Sequence, residues 1–203
     1  MRYVLRRSLT IVIAASLVTG ALLAGCTGGD NGTQPPPEPE PAPAPAPGEG
    51  NGNGGDDITG PAMYISPERQ TVSVGDTFQV ELMVTGIDEQ VMSRGAQWTL
   101  EFTPDILECE GFTAGDFYDD FETIKAGFED PDIDNDSGLF PLTGIAIYGD
   151  RKGGPGGSGL LGTYDFKALA AGEATIELGI GELATGDRQK MEIEHIGATV
   201  VVD

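Results

Sequence analysis

The chain has 203 residues, a formal net charge of −22 at pH 7, 31 glycines, 14 prolines and only 2 cysteines. So acidic a surface repels phosphate backbones and anionic headgroups, which argues against nucleic acid as a partner. Any contact with a membrane is then left to attached acyl chains.

The chain opens with a basic segment, Arg2, Arg6 and Arg7, followed by an apolar run from Ile11 to Leu23 that ends in "LLAGC". The run is short and closes on small residues, which marks a secretion signal over residues 1–25 rather than a spanning helix. The "LAGC" of Leu23 to Cys26 is similar to a bacterial lipobox. That similarity implies cleavage before Cys26, lipidation of its sulfur and new amino group, and a protein exported and anchored to the outer face of the cell membrane or cell surface. Once the signal leaves, its three arginines leave with it and the remainder is more acidic still. With Cys26 lipidated, Cys109 has no partner for an internal disulfide, and its setting in "DILECEGF" reads as a small buried thiol.

Residues 26–60 cannot build a core. "QPPPEPEPAPAPAPG" favours polyproline II, and "GEGNGNGGDD" after it is flexible and hydrated. The proline stretch alone reaches on the order of 40 Å at ~3.1 Å per residue, enough to hold a domain away from a membrane.

Residues 61–203 have the length of one domain, and their pattern is β throughout. Phe78, Val80, Leu82 and Val84 alternate with polar neighbours. So do Ala96, Trp98, Leu100 and Phe102, then Tyr164, Phe166 and Ala168, then Ala174, Ile176, Leu178 and Ile180. "MYIS", "GIAIYG", "MEIEHI" and "GATVVVD" add shorter runs, with glycines and prolines between them. Many short strands separated by turn residues predict an all-β sandwich. The parity of Trp98 places it between the two sheets.

The order of the pieces adds to this. "VSVGDTFQVELMVTGI", "GAQWTLEFTPDILECEGFTAGDFY", "GSGLLGTYDFKALAAGEATIELG" and "GATVVVD" together resemble the cohesin modules of cellulosome scaffold proteins, over nearly all of residues 63–203. The resemblance implies a jelly-roll sandwich of about nine strands. It also implies a non-catalytic domain that receives dockerin-type or other extracellular proteins on a flat sheet face including the third, fifth, sixth and eighth strands. Gln97, Thr99 and Glu101 take the outward parity of the matching third strand. Leu161, Thr163, Asp165 and Lys167 take that of the strand matched to the sixth. The plainer reading is that these are solvated outsides of sandwich strands. The chain has one such domain and no duplicated calcium loop of the dockerin type, so a dockerin would come from another protein.

Two further features bear on function. "FEDPDIDNDSGLF" places Asp130, Asp132, Asp134 and Asp136 at alternate positions, an arrangement that offers hard calcium several carboxylate oxygens. It departs from an EF-hand, with Ser137 in the glycine position, and an acidic hairpin tip explains it equally. The single histidine, His195, stands in an alternating strand with no nucleophile motif around it, and no enzyme is expected. The rival function is binding of polysaccharide or cell-wall glycan as a carbohydrate-binding module. For that, Phe117, Tyr118 and Phe121 in "GDFYDDFE", or Tyr148, would have to present an aromatic platform.

The lipobox reading has a direct consequence. Cys26→Ser is expected to release the protein from membranes or leave the precursor unprocessed, as read by fractionation and blotting. A processed Cys26→Ser protein still sedimenting with membranes would contradict lipid anchoring.

Overall fold

The computed structural model describes residues 58–149 and 153–203; the signal segment, Cys26 and the linker up to residue 57 lie outside them. Within the described residues the elements are all strands. In chain order they are β1 (Ala62–Ser66), β2 (Arg69–Val72), β3 (Thr77–Ile87), β4 (Ser93–Phe102), β5 (Leu107–Ala114) and β6 (Thr123–Ala126). They continue as β7 (Leu139–Ile147), β8 (Gly157–Ala168), β9 (Gly172–Thr185), β10 (Lys190–Met191), β11 (Glu194–Ile196) and β12 (Ala198–Val202).

Two mixed sheets form. One runs β11-β1-β3-β8-β5, the other β2-β12-β9-β4-β7-β6, with β10 hydrogen-bonded to β9. The expected jelly-roll sandwich is present, with more strands than the nine anticipated. The extra ones are short: β10 has two residues and β11 three, because "MEIEHI" is divided between sheets. β10 pairs with β9, and three residues later β11 pairs with β1 of the other sheet.

Local chemistry sets the strand ends. The carboxylate of Asp88 accepts from the Gln90 N–H at 2.6 Å and its carbonyl accepts from Met92 N–H at 2.8 Å, turning the chain from β3 into β4. Pro104 has no N–H to extend β4, and the Thr103 carbonyl instead accepts from Leu107 N–H at 2.9 Å as β5 begins.

The inward parities meet in a dry interior. Trp98 and Leu100 of β4 and Ile176 of β9 face Val80, Leu82, Tyr164 and Phe166 of the other sheet, all fully buried. The two largest side chains are joined directly: Trp98 Nε1–H donates to the Tyr164 hydroxyl at 2.6 Å. Around that bond Phe112 and Phe140 pack on Tyr164 with ring centroids 5.0 and 4.9 Å away, and Phe128 meets Trp98 edge-on at 5.9 Å. Each ring buries a large apolar area, and the bond satisfies the indole N–H, which would otherwise be an orphaned donor.

Trp98→Ala should cost roughly 3–5 kcal/mol, and Tyr164→Phe, which strands the buried indole N–H, about 1–3 kcal/mol. Urea unfolding of the two variants beside wild type reads both. Equal midpoints for Tyr164→Phe and wild type would show that the bond contributes nothing net.

Candidate functional site: the outer face of the larger sheet

Neighbour relations decide which residues share a surface. β4 lies between β9 and β7, whereas β8 lies between β3 and β5 in the other sheet. Gln97, Thr99 and Glu101 therefore point outward from one side of the sandwich, and Thr163, Asp165 and Lys167 from the opposite side. The single face expected from the sequence does not exist, because alternation identifies a strand's two sides but not the sheet it joins. Leu161 also differs from expectation. The β3–β8 register passes from Leu82 opposite Gly162 to Met83 opposite Leu160, leaving Leu161 as a bulge that turns inward. It is buried, not exposed.

The surface actually built around β4 joins β6, β7, β4 and β9. Gln97 pairs with Gly144 of β7 and Glu182 of β9; Thr99 pairs with Ile180, and Glu101 with both Leu139 and Glu177. In β6, Ile124 pairs with Ala146 and Ala126 with Gly144. Across this surface lie several of the most exposed large apolar side chains of the described domain: Ile124 at 58%, Leu142 at 53%, Ile180 at 41% and Leu139 at 38%. Tyr148, just past β7 and on the parity of Ala146, is 63% exposed. Small residues, Ala126, Gly144 and Ala146, lie between them and keep the centre low.

A bulge makes the patch. Between Trp98/Thr143 and Leu100/Phe140 the β4–β7 register slips, so Pro141 and Leu142 stand against Thr99 alone. Leu139 and Leu142, three apart and so of opposite parity, both end up exposed. Thr99 is tied into the same irregularity, its Oγ1 accepting from Ile180 N–H at 2.8 Å.

Polar groups border the apolar strip. Glu182 accepts from Gln97 Nε2 at 2.6 Å and from Lys190 Nζ at 2.8 Å. The hydrogen bond from Lys190 and that from Gln97 hold the Glu182 carboxyl below the usual carboxylate range, and Glu182 raises the Lys190 ammonium. Beside this network a shallow groove of about 390 Å³ is lined by Arg94, Gln97, Ala146, Arg188 and Lys190. Arg94 is buried and donates to the Gly149 carbonyl at 2.7 Å, which fixes the end of β7 and the approach to Tyr148.

The other sequence candidates fall elsewhere. Asp130, Asp132, Asp134 and Asp136 are all exposed, and among the described residues no three His, Cys, Asp or Glu side chains gather to hold a metal ion. The loop's side chains serve its own fold: Asp134 Oδ1 accepts from the N–H groups of Asp136 and Ser137 at 3.1 and 3.0 Å. Asn135 reaches the edge of β5, accepting from Cys109 N–H at 2.8 Å and donating to its carbonyl at 3.1 Å. The alternating acids are thus the outward side of an acidic turn whose inward residues, Ile133 and Phe128, pack on the core.

Phe117 and Tyr118 do not form a coplanar platform. Tyr118 is buried with its hydroxyl 2.6 Å from Ser93 Oγ, and Phe117 meets it at 78° rather than lying coplanar. His195 Nε2 lies 2.8 Å from the Gly181 carbonyl, a bond that holds β11 beneath β9. The hollow of about 710 Å³ beside Phe112 and Phe128 is rimmed by Glu110, Glu129 and Asp130, but its rings belong to the core cluster.

Burial pushes the Cys109 thiol up to about 12, so at mildly alkaline pH it stays protonated and enclosed. Iodoacetamide is expected to leave Cys109 unmodified in the native chain and to label it fully in urea, as read by peptide mass. The same preparation should melt at an unchanged temperature with or without chelator. Rapid native labelling, or a chelator-sensitive melt, would contradict the burial or the acidic-turn account respectively.

No family model and no curated protein sequence matches the chain. Solved structures do. A non-cellulosomal cohesin from the hyperthermophilic archaeon Archaeoglobus fulgidus superposes with a TM-score of 0.54 and 15% identity, covering 71% of this chain and 92% of that one. A chain from a type I cohesin–dockerin complex of Clostridium thermocellum gives 0.57 and 10% identity, covering 72% and 95%. A cohesin module from a Clostridium perfringens family 33 glycoside hydrolase gives 0.53 and 14%, covering 72% and 98%. At these identities the likeness is one of architecture, and the described domain has the cohesin fold.

Proposed function

We propose that the domain is a non-catalytic docking module that holds a dockerin-type extracellular protein on the outer face of β6-β7-β4-β9, and that Cys26 anchors it to the cell exterior through lipid. The observation that carries this reading is the exposed apolar strip of Ile124, Leu139, Leu142 and Ile180 on one side of a sandwich. A strongly acidic domain gains nothing in solubility from such a strip, and contiguous exposed apolar surface marks contact sites. The bordering Gln97–Glu182–Lys190 network supplies a polar rim, the usual anatomy of a protein interface.

The cohesin fold supports the reading because several of the similar structures are complexes with dockerins. The proline and glycine linker suits it as well, since a tethered receptor gains capture radius from a long spacer. A sugar ligand is less well served. Aliphatic side chains on a flat sheet give no ring for a pyranose to stack on, and Tyr148 is the one well-exposed aromatic of those named in the sequence.

Leu142→Asp places a charge in the centre of the strip and should abolish partner capture while the thermal melt stays within a few degrees. Thr163→Arg with Asp165→Arg, on the opposite sheet, should leave capture intact. Pull-down from the secretome of the producing organism, with mass spectrometry of what is retained, reads both. Retention of a protein with a duplicated calcium-loop module by wild type and the Thr163/Asp165 variant, but not by Leu142→Asp, is the expected result. Equal retention by all three would overturn the assigned face, and recovery of glycan alone would replace the reading with carbohydrate binding.

A further inference from the structure

The start of β4 holds one charged side chain in an unusual setting. Ser93 pairs with Thr185 of β9 and Gly95 with Ala184, so Arg94 is the extra residue of a bulge, which re-aims it out of the strand's alternation. Arg94 is only 6% exposed. A buried guanidinium is ordinarily paired with a carboxylate, because desolvating an unpaired charge is costly. Among the described residues Arg94 has no such partner. Its Nη2 donates to the carbonyls of Ile147 and Gly149 at 3.3 and 2.7 Å, which satisfies one nitrogen and leaves the charge uncompensated. Nε and Nη1 donate to nothing among the described residues, yet neither is an enclosed orphan. Both therefore meet the groove of about 390 Å³ that Arg94 lines.

A second guanidinium converges on the same point. Arg188, between β9 and β10, donates from Nη2 to the Gly149 carbonyl at 3.2 Å, so two like charges share one acceptor oxygen. Lys190 lines the groove beside them. The chain has 33 aspartates and glutamates against 11 lysines and arginines, yet three of those basic residues gather here. Glu182 is the one carboxylate among the described lining residues. We infer that this groove is an oxyanion site in which the Arg94 fork takes the carboxylate of a small ligand, with Arg188 and Lys190 at its mouth. A planar guanidinium matches a carboxylate bidentately. Glu182 on the same wall favours a single negative charge over doubly charged phosphate. The volume lies at the low end of small-molecule sites and suits a sugar acid or the end of a short peptide. The site needs no protein partner, so it goes beyond the docking reading and does not depend on it.

Isothermal titration of the full chain at low ionic strength tests this with matched probes: glucuronate beside glucose, and acetyl-alanyl-alanine beside its C-terminal amide. Binding of a charged probe without its neutral twin is expected. Which pair shows it tells whether a sugar acid or a peptide end supplies the carboxylate. Arg94→Gln should weaken that binding roughly tenfold or more, through loss of a bidentate charge-assisted contact. Because Arg94 is buried, its substitution can unsettle the fold, and a second variant keeps the test decisive. Arg188→Gln with Lys190→Gln, both exposed, should weaken binding about tenfold while the melt stays unchanged. Arg69→Gln with Lys167→Gln removes the same charge elsewhere and should leave binding intact. Leu142→Asp, which disrupts the docking strip alone, should leave it intact as well. Binding of neither carboxylate, equal binding of the neutral twins, or equal weakening by the Arg69/Lys167 variant would overturn the inference.

Discussion

The bond from Trp98 to Tyr164 is the point on which the domain turns. It joins the centre of β4 in one sheet to the centre of β8 in the other, with both side chains fully buried. Phe112, Phe128 and Phe140 pack around it and fill the gap between sheets with ring edges rather than flexible chains. Burial also drives the Tyr164 hydroxyl pKa upward, so the group remains a neutral partner for the indole at every ordinary pH. A core fixed in this way commits the inward parity of every neighbouring strand, and with it everything that is left to point outward.

From that commitment the two outer surfaces differ in kind. On the five-stranded side Gln79 donates to Asp165 at 2.8 Å, and Glu108 stands opposite Lys167 in the register, an ordinary polar surface. On the other side an aliphatic strip and a bulge lie together, beside the exposed Glu101 and Glu177. The sandwich thus separates a polar outer face from one that carries an exposed apolar strip. The docking proposal rests on this asymmetry: rigid support from the core, and a surface whose apolar and charged features are arranged by strand register rather than by mobile loops.

Much of the fold was legible in the sequence, because period-2 alternation is imposed by burial and burial dominates the energetics. Trp98 could be placed in the core from its neighbours alone, and Cys109 from its apolar flank. The sheet membership of β8 was not legible, since the same alternation serves either sheet. Leu161 was misplaced by one bulge, and Leu139 and Leu142 escaped notice for the converse reason, a bulge that brings residues of opposite parity to exposure on the same side. The acidic loop was ambiguous by composition: four alternate aspartates describe a calcium loop and a solvated turn equally, and the bonds of Asn135 to Cys109 belong to the fold rather than to local sequence. Ile124 gave a faint signal, an isoleucine in a four-residue run, but only its pairing with Ala146 shows which surface it extends.

The central claim is that partners meet β6-β7-β4-β9 and not the opposite sheet. Backbone amide shift mapping of the isotopically labelled chain, on addition of the partner it retains from the secretome, addresses this most directly. The account requires the largest changes at Ile124, Leu142, Gly144, Ile180 and Glu101, with Thr163, Asp165 and Gln79 unmoved. Changes centred on β3, β8 and β5 instead would contradict it.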